Sequence, residues 1–284
     1  MGQKIKSILK EFGIVFGAFL VLNSFVIASF EVPTGSMENE IMTGDFLLVN
    51  KFIYGGTTPR TIPFTNVKIP AFKLPALWKV DRGDVIVFMF PGYRDEVEAN
   101  PFAYYLKRCM ALPGDTLSVV DRVVYVNGEP APIPRNMKFN TNYIKSKGQM
   151  DPRIFPIGTP FNEDNYGPII IPKNGDEIEL NNSNFFQWST FIKREGHTIE
   201  MKNQKIYIDG NENNKYVVEK DYVFGMGDNR DNSLDSRFWG FIPIDAIVGA
   251  PIIVYWSWNP DIPLTSFKEK IASVRWNRLG TIVK

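Results

Sequence analysis

From position 12 to position 30 the chain carries no charged side chain, and only Asn23, Ser24 and Ser29 are polar in that run. Its 19 residues, at about 1.5 Å each, reach roughly 28 Å as a helix, close to the hydrocarbon thickness of a bilayer. Lys4, Lys6 and Lys10 precede the run; Glu31, Glu38, Glu40 and Asp45 follow it, and the next cation is Lys51. The asymmetry predicts a single transmembrane helix with a cytoplasmic N-terminus and the remaining chain exported across the plasma (inner) membrane. A cleaved targeting segment is the competing reading. Its apolar region would be about 7–15 residues and would end in a small-x-small site, a pattern that Ile27-Ala28-Ser29 does not supply. A buried core helix is the third alternative, opposed by lysines on one flank only.

Beyond the run, the pattern changes to short apolar stretches rich in Val, Ile, Phe and Tyr, at 45–51, 84–90, 104–110, 116–126, 199–208, 222–226 and 250–258. Turn sequences such as Arg82-Gly83-Asp84, Leu112-Pro113-Gly114-Asp115 and Asn127-Gly128 separate them, which predicts strands joined by hairpins and loops. No long helical period shows between 31 and 262. The expected fold is mainly β: an N-terminal transmembrane helix (1–31) and a β-rich core formed by 32–128 and 221–262. A large β-rich insertion at 129–220 interrupts that core, and an amphipathic tail at 263–284 follows it. Residues 55–80, with Pro59, Pro63, Pro70 and Pro75, read as an extended surface flap.

Composition narrows the function classes. Across 284 residues, Lys+Arg total 32 against Asp+Glu 31, so no net field draws nucleic acid, and none is expected as a partner. A single cysteine, Cys109, rules out an internal disulfide. A single histidine, His197, lies in a polar stretch and reads as a surface residue. No zinc spacing is present; neither a metal nor an organic cofactor is expected.

With imidazole effectively absent, a serine nucleophile must take its base from a lysine or a carboxylate. Ser36 sits in Pro33-Thr34-Gly35-Ser36-Met37, just past the apolar run. Most such serines are turn residues, yet Gly35 allows a backbone that presents the hydroxyl and its own N–H together. Lys107 lies inside the apolar strand pattern 103–112, where alternation puts Tyr105, Lys107 and Cys109 on one face and Leu106, Arg108 and Met110 on the other. Bringing a lysine from about 10.4 to about 7 costs roughly 4.6 kcal/mol, which burial can supply. The plainer alternative is that Lys107 and Arg108 are edge-strand charges that discourage aggregation. The stretch 225–240 is dense in Gly, Asp, Asn, Ser and Arg, as a loop that holds geometry through side-chain–backbone hydrogen bonds would be. A calcium loop is the alternative there, weakened by Arg230, Arg237 and the missing ligand spacing.

At these residues the chain resembles the type I signal peptidases, membrane-bound Ser/Lys proteases. The matching blocks are Gly35-Ser36-Met37, Gly44-Asp45, Arg82-Gly83-Asp84-Val85-Ile86-Val87-Phe88, Tyr105-Leu106-Lys107-Arg108, Leu112-Pro113-Gly114-Asp115, Gly227 to Ser233, and Ser236-Arg237-Phe238-Trp239-Gly240. The resemblance implies a serine endopeptidase that removes signal peptides from exported preproteins at the bilayer, cutting after small residues. It implies Ser36 as nucleophile, Lys107 as general base, and Thr34 with the Ser36 N–H as oxyanion donors. Ser233 is then the hydrogen-bond partner of the lysine and Asp235–Arg237 a structural pair, with Asp228 and Arg230 in supporting roles. The family often has proline, threonine and leucine where this chain has Asn39, Glu40 and Ile41, which alters the loop after the serine. Two rivals share parts of the pattern. A non-enzymatic membrane-anchored adaptor would keep the fold without the cleavage, and a Ser/Lys self-cleaving regulator is opposed by the anchor and the absence of a DNA-binding element.

Overall fold

The computed structural model of the protein describes residues 2–58, 70, 72–99 and 101–284. Of the expected proline-rich flap at 55–80, residues 59–69 and 71 lie outside the described residues. The chain divides into two compact units, one made of 1–33, 43–79 and 248–284 and the other of 34–42 and 80–247.

In the first unit a helix, Gly2–Phe25, leads directly into a strand, Ile27–Glu31. This corrects the expectation of one span from 12 to 30. Only 12–25 of that run is helical, and among the described residues no helix is long and apolar enough to cross a membrane. The reason lies in the register: Ala28 pairs with Val49 and Phe30 with Leu47, in an antiparallel ladder with Asp45–Asn50. A count of uncharged residues cannot see that the last four of the run have strand partners 17 or more residues away. Asp45–Asn50 also pairs with Ile247–Ser257, on whose other side lies Thr281–Ile282.

The C-terminal tail is tied to this sheet. Asp45 is fully buried; it receives the Arg278 guanidinium (Nε to Oδ1, 2.9 Å) and the Ser257 hydroxyl at 2.7 Å. An ionised carboxylate out of water needs such company. Lys51, at the end of the same ladder, is buried without that benefit. It donates to the carbonyls of Asn23 (3.3 Å) and Thr57 (3.4 Å), and burial pulls its ammonium down to about 8.

The second unit carries the strands Val85–Met89, Tyr104–Ala111 and Tyr222–Met226, paired antiparallel in that order, with Ile242–Pro243 beyond. Ile86 faces Lys107 and Val85 faces Arg108 across the first ladder. From Lys107 to Ala111 every residue is buried. The expected alternation of faces therefore brings no alternation of exposure, because both faces of this strand are covered. The hairpin at Asn127-Gly128 forms as its sequence predicts: Val126 pairs with Glu129 and both turn residues have positive φ, at 56° and 86°, which Asn and Gly tolerate. Between positions 129 and 220 the chain builds further small sheets and one helix, Phe185–Arg194. That helix is ten residues long. Phe185, Trp188, Phe191 and Ile192 share one face at helical spacing and pack into the aromatic core with Tyr222 and Phe241.

Candidate active site

Ser36 belongs to the short segment 34–42 that joins the second unit. It is 8% exposed, and Lys107 is 3% exposed. The lysine Nζ lies 2.6 Å from Ser36 Oγ, hydrogen-bonding distance with nothing between. The other partner of Nζ is the carbonyl of Leu106, at 3.0 Å. Burial lowers the Lys107 pKa to about 8. The Arg237 guanidinium pushes the same way, while the Asp235 and Asp228 carboxylates oppose it. The side chain next to the hydroxyl is thus an amine that gives up its proton within reach of neutral pH. Such a lone pair can take a serine proton.

The loop after Tyr222–Met226 holds the serine from the far side. Asn229 donates its backbone N–H to the Ser36 carbonyl at 3.0 Å and its amide to the Gly35 carbonyl at 2.9 Å. Gly227 sits where nothing larger fits. A Cβ there would stand 2.2 Å from Ser233 Oγ and 2.6 Å from the Ser36 carbonyl oxygen.

Asp235 and Arg237 form a doubly hydrogen-bonded pair, Nε to Oδ1 at 2.9 Å and Nη2 to Oδ2 at 2.8 Å, both fully buried or nearly so. Burial alone would raise the Asp235 carboxyl, but the Arg237 charge and hydrogen bonds override it and hold it below its ordinary value. The pair braces the loop: Asp235 accepts from the Gly227 N–H at 3.0 Å, and Arg237 donates to the Arg230 carbonyl at 2.9 Å.

Several expectations change in detail. The expected hydrogen bond from Ser233 to Lys107 is not formed. The Ser233 hydroxyl is buried over Gly227 and, among the described residues, finds no partner of good geometry, although it lies close enough to Asp235 to help keep that carboxyl ionised. Asp228, expected only in a supporting role, pairs with Arg108, with Nε to Oδ1 at 2.9 Å and Nη2 to Oδ2 at 2.6 Å. Arg108 also donates to the Gly83 carbonyl at 2.7 Å, which ties the Arg82-Gly83-Asp84 turn to the site. Sequence reasoning missed Arg108; the clue was a second cation beside Lys107 in an apolar strand. Arg230 is buried with its Nε unpartnered among the described residues. Burial and the neighbouring Arg237 lower it to about 10. Thr34 is exposed, two residues ahead of the serine. His197 lies elsewhere, its ring between Asp209 (2.6 Å) and Glu219 (3.0 Å). Cys109 is buried, and burial pushes its thiol up to about 12.

A sequence model of the family described as signal peptidase, peptidase S26, matches residues 5–256. The chain is similar to signal peptidase I of Aquifex aeolicus, 29% identical over 97% of this chain and 97% of that protein. It is also similar to signal peptidase I of Pseudomonas aeruginosa, 30% identical over 96% of this chain and 78% of that protein. The same holds for signal peptidase I of Buchnera aphidicola from Schizaphis graminum, 29% identical over 99% of this chain and 81% of the other.

Proposed function

The chain belongs to the signal peptidase family, peptidase S26, and from that premise we propose that Ser36 and Lys107 are the nucleophile and general base with which this serine endopeptidase removes signal peptides. One observation carries the reading: the 2.6 Å approach of a buried, desolvated amine to a buried hydroxyl. Neutral Lys107 takes the Ser36 proton as Oγ attacks the substrate carbonyl. The protonated Lys107 hands that proton to the amine of the leaving peptide as the C–N bond breaks, and water then hydrolyses the ester. The Ser36 N–H and the Thr34 hydroxyl stabilise the oxyanion, and the cut follows a small residue. Asp235–Arg237 and Asp228–Arg108 fix the loop that faces the serine, while Ser233 and Arg230 line it. Two buried Asp–Arg pairs beside an unpaired lysine support this division of labour, because they satisfy the carboxylates that would otherwise hold the lysine charged.

The protease works at a lipid bilayer on the exported side, tethered through the helix Gly2–Phe25. Ile8, Phe12, Val15, Phe19 and Leu22 are all exposed on it, apolar surface that lipid would cover at a gain. Its substrates are preproteins carrying signal peptides.

The test uses detergent-solubilised protein and its Ser36→Ala variant, each incubated with a preprotein, with the cut located by mass spectrometry. Cleavage after a small residue by the wild type alone is the expected result. Equal cleavage by the variant would remove Ser36 from the mechanism.

A further inference from the structure

The loop that follows the serine carries two acidic residues, Glu38 and Glu40, and one backbone feature that rules out proline. Asn39 has φ of 54°, a left-handed value that Asn tolerates and that a pyrrolidine ring, fixed near −65°, cannot reach. Side-chain contacts help hold the loop, and two of them come from one segment of the insertion. Lys138 Nζ bonds Glu38 Oε2 at 2.8 Å. The Asn136 amide donates to the Glu40 carboxylate, which is buried.

The same segment grips the opposite loop. The Lys138 N–H donates to the Asp228 carbonyl at 2.9 Å, and the Lys138 carbonyl accepts from the Arg230 N–H at 3.0 Å, forming a parallel bridge to Asn229. Asn140 donates its amide to Asn229 Oδ1 at 3.1 Å, and the Asn140 and Thr141 N–H groups converge on Asp231 Oδ2 at 2.7 and 3.0 Å. Asn229 is the residue whose N–H and amide hold the Ser36 and Gly35 carbonyls. Glu38 closes the circuit. Its carboxylate folds back on the serine's own turn, with Oε1 only 2.8 Å from where a Cβ on Gly35 would stand.

We propose that the insertion segment 136–141 is a positioning element for Ser36, acting through the Lys138–Glu38 ion pair and the Asn136–Glu40 hydrogen bond. The proposal rests on Ser36 being the nucleophile. None of these groups touches the reacting atoms; they fix the loops that carry the serine and face it. Reacting atoms misplaced by an ångström can cost a large factor in turnover. The Lys138–Glu38 pair is partly exposed, at 28% and 32% for the two side chains, so salt should weaken it.

The experiment measures kcat and KM for one preprotein with full-length wild type, Lys138→Met, and the charge swap Glu38→Lys/Lys138→Glu, each from low to molar NaCl. Lys138→Met should lower kcat about five- to tenfold, the scale of a partly lost alignment, with KM within about twofold. The swap should recover at least half of the loss. Wild-type kcat should fall with salt toward that of Lys138→Met, which should itself respond little. A Lys138→Met kcat within twofold of wild type overturns the proposal, as does a folded swap variant with no recovery. A Lys138→Met protein that fails to fold leaves the swap and the wild-type salt response to decide. Ser36→Ala, run alongside, separates the two ideas: if it still cleaves, the nucleophile reading fails, whereas loss in that variant with an unaffected Lys138→Met sinks only the positioning role.

Discussion

At the residue scale the site depends on a lysine kept from its ordinary charge state. Among the described residues Lys107 has no carboxylate in direct contact; its bonds are to a hydroxyl and a carbonyl, while Asp228 and Asp235 are each taken by an arginine. Desolvation therefore dominates and brings the amine to about 8. The base form is unprotonated, so kcat/KM should rise with pH through a single step near 8 and flatten above it. Lys107→Arg should show no cleavage at any pH, because a guanidinium is not deprotonated in water. A profile already flat from pH 6 upward, or turnover by the arginine variant, would exclude Lys107 as base. Local pattern alone left Ser36 as one more turn serine and Lys107 as an edge-strand charge; the resemblance to the type I signal peptidases is what joined them, and the structure brings the two side chains within hydrogen-bonding distance. Arg108 broke the pattern equally but was read as a charge on the other face, since alternation hides the case in which both faces are covered. The contacts of Asn136 and Lys138 with Glu40 and Glu38 left no mark in the sequence at all, being pairings across 96 and 100 residues.

At the element scale, strands were easier to read than the helices at the two extremes of length. The ladder Val85–Met89 with Tyr104–Ala111 follows from dense Val, Ile, Phe and Tyr between turn signals. Phe185–Arg194 was passed over because ten residues give fewer than three turns of the helical period. The N-terminal run was misjudged in the opposite sense. Hydropathy merged a helix and a strand that share an apolar character but not a partner, the strand being bound to Asp45–Asn50. The helix that remains still presents its apolar side chains outward, and lipid contact is what would stabilise it. Full-length protein should float with phospholipid vesicles on a density gradient. Phe12→Lys/Phe19→Lys should float at least tenfold less, since each lysine placed at membrane depth costs about 2.5–3.5 kcal/mol. Undiminished flotation of that variant would show that another surface holds the lipid.

At the scale of the whole molecule, the chemistry and the stability of the fold pull against each other, and the conflict has a sign that can be measured. A lysine whose folded value is about 8 against 10.5 when free binds its proton less readily in the folded than in the unfolded chain. Below pH 8 both states hold the proton and the folded state bears the full cost of a buried charge, about 3 kcal/mol at 1.36 kcal/mol per unit. Between pH 8 and 10.5 the folded chain sheds the proton first, so that cost fades and stability from this group rises with pH. Lys51, lowered to about 8 by burial in the other unit, contributes with the same sign, so the wild-type slope is a sum of both. Replacing Lys107 with an apolar side chain of similar length isolates its share. Lys107→Met should abolish cleavage yet raise the unfolding free energy at pH 7 by about 2–3 kcal/mol, less what is lost with the contact to Ser36. The gain should shrink as the pH approaches 10.5. Urea denaturation of both proteins from pH 6 to 10.5, followed by the loss of tryptophan fluorescence, reads this directly. A Lys107→Met protein less stable than wild type at pH 7 would mean that the folded protein welcomes the lysine charged, and an amine held in that state could not draw a proton from the alcohol beside it.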